Sequence, residues 1–119
     1  MEATDENLSP TVSFEDFLKV DIRVGEIVAS EAVPKSDKLL KLSVYLGELG
    51  TRTIVASIAK SYHDARSAIG QRCLVVTNLA PRKVMGIESN GMLLAGRLDD
   101  LGVVALATCH SAQPGVRIA

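Results

Sequence analysis

The sequence predicts an all-β chain with a short helix, folded as a five-stranded barrel with a C-terminal extension. Three observations carry this reading. Short segments of alternating apolar and polar residues recur, each bounded by turn signals, which is the pattern of a small barrel or sandwich. The apolar phase of the first segment slips by one residue after Gly25, as happens where a strand bulges or bends around a barrel. One helix-like stretch interrupts the strands between the third and the fourth.

Residues 1–12 are polar, acidic and without periodicity, so a flexible acidic tail is expected ahead of a domain spanning 13–119. Ser13-Phe14-Glu15-Asp16 is similar to a capping box and opens a short helix through Phe17 and Leu18. Val20, Ile22 and Val24 alternate with Asp21 and Arg23, and after Gly25 the apolar positions become Ile27 and Ala29. Pro34-Lys35-Ser36-Asp37 is a turn. Leu40, Leu42, Val44 and Leu46 then alternate through a second strand, and Gly47 to Gly50 connects it tightly to a third over 53–57. Residues 59–69 break the β pattern and read as a short helix closed by Gly70. Residues 72–78 form a fourth strand and 91–96 a fifth, with a sixth expected over 102–108 before the Pro114-Gly115 turn. Three strands, one helix and two strands is the order of the OB-fold, a partly open barrel whose face often binds oligonucleotides.

Composition bounds the chemistry. The 119 residues suffice for one domain, and no apolar run approaches the roughly 18 residues of a membrane span. The acidic N-terminus lacks the apolar stretch of a signal peptide. Cys73 and Cys109 lie far apart without a CxxC pattern; they read as buried thiols of a cytoplasmic protein rather than metal ligands. His63 and His110 read as surface histidines, and Asp99-Asp100 as a solvated turn. No phosphate-binding glycine loop is present. No catalytic residue, metal or cofactor is therefore expected.

The net charge of −1 hides an asymmetry. Residues 1–16 hold five acids and no lysine or arginine, whereas residues 17–119 set 13 cations against nine acids. A mildly basic body thus follows an acidic tail, although a chance excess on a solvated surface gives the same sum.

The stretch NLAPRKVMGIESNGM, residues 78–92, draws attention because a loop between two apolar strands carries adjacent cations and an exposed methionine. At the rim of a barrel, Arg82 and Lys83 would project where a phosphate backbone passes. Pro81 stiffens their approach. Asn78 and Ser89 offer neutral groups to phosphate or sugar, and Lys38 and Lys41 on the second strand extend the basic track. The bland alternatives are a solvated Arg-Lys pair, turn-forming Asn78 and Ser89, and Met92 as core filler. Only Phe14, Phe17, Tyr45 and Tyr62 are aromatic. Binders of unstructured single strands depend on aromatic stacking, so shape and backbone recognition of folded RNA fits better.

VDIRVGEI, PKSDKLLKLSV, RTIVASIAKSY and NLAPRKVMGIESNGMLLA together resemble the tRNA-binding domain appended to methionyl-tRNA synthetases. The same domain occurs in stand-alone tRNA-binding proteins, in cofactors of synthetase complexes and in CsaA-type chaperones. The resemblance covers about residues 14–119 and implies an OB-fold that binds tRNA by shape near its elbow, without a cofactor. It also implies a homodimer in which the segment after the fifth strand, about residues 97–119, completes the subunit interface, and an aminoacyl-tRNA synthetase as a partner. By motif, Asn78, Arg82, Lys83, Ser89 and Met92 become candidates for RNA contact, with Lys38 and Lys41 behind them. Ser57 stands where the family commonly has glycine. Two rival readings share these residues: a CsaA-like peptide-binding chaperone, and a dimerisation module whose RNA surface has decayed.

Overall fold

The computed structural model describes residues 9–118; the expected acidic tail therefore lies largely outside the described residues. Ser13 caps the first element, α1 (Phe14–Leu18), its hydroxyl accepting from the Asp16 amide at 3.0 Å. No residue of α1 is buried. The chain then enters β1 (Ile22–Ala32), which pairs antiparallel with β2 (Leu40–Tyr45) and with β4 (Arg72–Val76). β3 (Thr51–Ala56) lies beyond β2. After β4 come a hairpin, β5 (Arg82–Val84) and β6 (Ile87–Ser89), and then β7 (Met92–Leu93), which pairs with β4. The resulting order, β3-β2-β1-β4-β7, is a nearly closed five-strand barrel of OB-like form.

Burial follows the alternation seen in sequence. Ile27, Leu42, Val44, Leu46, Ile54 and Val75 are wholly buried inside the barrel. Gly25 lies where strands crowd: a Cβ there would stand 2.6 Å from Val44 Cγ1 and 2.9 Å from Leu46 Cδ2. The strand does not bulge at Gly25 as expected. It runs through: Val24 and Gly25 are both buried, on opposite faces of β1, so Gly25 and Ile27 face the core in the phase opposite to Val24, and the register shift comes only later, between Ile27 and Ala29.

Val55 follows Ile54 and so faces the other side of β3. There it forms a second cluster with Val33 and Leu39, covered by Val84 and Ile87 of the hairpin. This outer cluster holds the hairpin down and fixes the position of the loop read above as a rim.

Three expectations are corrected. Residues 59–69 form two 3₁₀ turns, Ala59–Ser61 and Ala65–Ala68, because Tyr62 between them is extended (φ −127°, ψ 143°) and packs on the core. The expected fifth strand is divided: β7 ends at Leu93, and β8 (Ala95–Arg97) pairs instead with β9 (Val104–Leu106), the shorter form of the expected sixth strand. Cys109 is half-buried, whereas Cys73 is buried as expected, and burial pushes the Cys73 thiol up to about 11. A final strand, β10 (Arg117–Ile118), takes the edge of β1 at Ile22–Arg23, which β2 leaves open by ending at Tyr45 opposite Glu26.

Candidate nucleic-acid interface

The hairpin and the β7–β8 segment wall an open groove of about 720 Å³. Its floor is apolar, with Val55, Val84, Leu93 and Val104 among the lining residues, and Met85 and Met92 line it as well. Lys38, Arg82 and Arg97 supply its charge, and among the described residues no carboxylate lines it. Among the same residues, these three cations and Lys83 stand in no ion pair within 4.0 Å. Unpaired cations above an apolar floor are suited to an anion that carries an apolar body.

The sequence-predicted residues separate into three groups. Lys38, Arg82 and Met92 meet at the groove. Lys83 and Lys41 do not line it. Arg82 and Val84 share one face of β5, so Lys83 between them turns to the other face, across from Glu88. Lys41 lies across from Val55 on the outer face, with its ammonium 3.4 Å from Glu31. Asn78 and Ser89 are engaged by the fold itself. The Asn78 carboxamide accepts from the Asp21 amide at 2.9 Å and donates to the Lys19 carbonyl, tying the end of β4 to the exit from α1. Ser89 is buried and accepts from the Val55 amide. Ser57 is exposed in the groove wall. His63 and His110 are exposed, as read from sequence.

Two groove residues escaped the sequence reading. Arg97 belongs to a stretch that reads as a turn, and only the β8–β9 pairing brings it to the rim. Met85 sits in the two-residue hairpin turn with φ 50°, followed by Gly86 at φ 83°. Positive φ at both positions is the geometry that a right-twisted hairpin needs, and methionine there costs backbone energy. The signal for it was the Met-Gly pair between two short β-branched segments.

A second apolar surface lies away from the groove, where Phe17, Leu18 and Val20 meet β10 at Arg117 and Ile118. Beneath it, the bond from Arg23 holds the Asp21 carboxyl below the usual carboxylate range, helped by the charges of Arg23 and Arg117. Among the described residues, no three His, Cys, Asp or Glu side chains are grouped to hold a metal ion. No described helix is long and apolar enough to cross a membrane.

The barrel and its groove define a class: OB-like modules that present an open, cation-rimmed face. Comparison with known proteins places the chain within that class. The family described as "Putative tRNA binding domain" matches residues 22–117, and the chain belongs to the tRNA-binding domain family. It is 56% identical over 85 residues to the methionine–tRNA ligase of Methanococcoides burtonii, covering 71% of this chain and 12% of the ligase. The chain thus spans only about an eighth of that relative. Among solved structures, the MetRS-related protein of Pyrococcus horikoshii superposes with a TM-score of 0.82 at 32% identity, covering 93% of this chain and all of that one. The chaperone CsaA of Bacillus anthracis superposes with a TM-score of 0.81, also at 32% identity, over 92% of this chain and all of that one.

Proposed function

We infer that this chain holds folded tRNA on its groove face by shape and backbone contacts, serving a methionyl-type synthetase in cis or in trans. The observation that carries the reading is the rim, where Lys38, Arg82 and Arg97 line one groove that no described carboxylate lines. Arginine forks to two phosphate oxygens and lysine acts as a point charge, so three such groups can follow a bent backbone. Lys38, Arg82 and Met92 touch the RNA directly. Lys83 reaches it from the hairpin's other face and Lys41 from behind, while Asn78 and Ser89 hold the loop in place. The chain is non-catalytic in this reading and works in the cytoplasm.

It works as a homodimer. In support, α1 buries none of its residues within the protomer, and Phe14 is 72% exposed, with Phe17 and Val116 also open to solvent. Segment 97–119 carries exposed Leu98 and Leu101 as well. A second copy would cover these side chains.

Titration of fluorescent tRNA and of an unstructured RNA of equal length, at several salt concentrations, tests the reading. Folded tRNA should bind better. Arg82→Ala/Lys83→Ala should flatten the salt dependence by about one to two in log–log slope, near one for each phosphate no longer neutralised. Failure of both RNAs to bind at low salt would sink it. The groove's apolar floor and the likeness to CsaA favour one second reading, a peptide-binding chaperone, for which unfolded peptide rather than tRNA would occupy the groove.

A further inference from the structure

We propose that the groove receives a nucleobase splayed out of folded RNA, seated against the thioethers of Met85 and Met92 while neighbouring phosphates lie on Arg82 and Arg97. This rests on the tRNA reading above and specifies what the groove itself binds. Phosphate contacts alone explain the cations but not the floor. A groove of about 720 Å³ is large for a backbone contact and falls within the roughly 300–1,000 Å³ of small-molecule sites. A nucleotide is a flat apolar body with an anion attached, which matches an apolar floor beneath unpaired cations and no described carboxylate.

The chain has few aromatic residues, and neither tyrosine lines the groove. Stacking must come from other groups. Thioether sulfur makes favourable contacts with aromatic rings, and guanidinium planes stack on bases. Met85 and Met92 are 55% and 45% exposed, large values for side chains this apolar. Met85 is also held at φ 50°, and backbone strain of that kind persists where the surrounding structure or the function demands it. Among the described residues, Ser57 is the one neutral polar side chain in the groove wall, so little discriminates one base from another. The seat takes an unpaired base of any identity.

The chain has three methionines, so protein labelled with ¹³C at the methionine methyls gives three resonances, assigned through Met85→Leu and Met92→Leu. On saturation with unfractionated tRNA, the Met85 and Met92 methyls should move upfield under the ring current of a base, while Met1 stays near its free position. In parallel, Met85→Ala/Met92→Ala should weaken tRNA binding about five- to tenfold without altering the salt slope, since every phosphate-binding cation is kept. If tRNA binds by anisotropy and neither methyl moves, the base seat is wrong and the tRNA reading stands. If tRNA does not bind at low salt, both fall. If an unfolded apolar peptide moves both methyls and tRNA moves neither, the occupant is peptide and the proposal is overturned.

Discussion

The Ser89 hydroxyl accepts a hydrogen bond from the Val55 amide at 2.9 Å, and Ser89 is 2% exposed. The bond spans the gap where the strand ladder stops: β3 and β7 end the sheet order without pairing, and Ser89 reaches β3 from the end of β6. One residue further on, the Asn90 amide donates to the Thr53 carbonyl at 2.8 Å. A side chain and a turn amide therefore close the barrel where backbone pairing does not, and the same residues fasten the hairpin that carries Arg82.

Ser89→Ala should therefore act on stability first. It leaves a buried amide without an acceptor, a destabilisation of about 1–3 kcal/mol, read as a lower urea midpoint at unchanged slope. Binding of tRNA should weaken as the hairpin loosens, with the salt slope kept because the cations stay in place. An unaltered midpoint would refute the closing role.

What the sequence disclosed and what it withheld divide along the same line. The alternation of Leu40, Leu42 and Val44 and the Ser13 cap are local patterns, and each has its counterpart in the fold. The β5–β6 hairpin was hidden because its turn is Met85-Gly86 rather than Asn-Gly, and its strands are three residues long. Arg82 and Lys83 are adjacent in sequence, but a strand sends them to opposite faces. Asn78 and Ser89 carry polar groups that read alike whether they await a ligand or satisfy the backbone, and only the position of Asp21 and Val55 in space distinguishes the two. Arg97 depends on a pairing between segments whose boundaries the sequence does not mark.

Acid should release the C-terminal strand. The Asp21 carboxylate accepts from Arg23 Nε at 3.0 Å and lies 3.7 Å from Arg117 Nε on β10. The Arg23 bond chiefly lowers its pKa, against a smaller opposing effect of burial. A carboxyl more acidic folded than unfolded contributes stability above its unfolded value, about 3.9, and loses it as pH falls through the folded value. The contribution is present at neutral pH and disappears below about pH 4. Asp21→Asn should therefore lower stability at pH 7 and make unfolding less steep in that acid window. Protection of the Val24 and Gly115 amides, which bond to Val116 and Val24 at 2.9 and 2.7 Å, relative to the unfolded chain at the same pH, should be lost first in the parent as pH drops. Superimposable acid profiles for variant and parent would exclude Asp21 as the linking group.

Met85 should set stability against binding. Asparagine enters the left-handed region at lower cost than methionine, because its short polar side chain bonds locally. Met85→Asn should thus relieve the turn at φ 50°, stabilising the domain by about 0.5–1 kcal/mol and raising its thermal midpoint by about 2–4 °C. The same change removes a thioether from the groove, so tRNA binding should weaken several-fold although the fold is firmer. Loosening of the hairpin cannot produce that pair of effects, since it would lower stability and binding together. A variant that is firmer and binds as tightly as the parent would show that the turn merely tolerates methionine, with no ligand behind the choice.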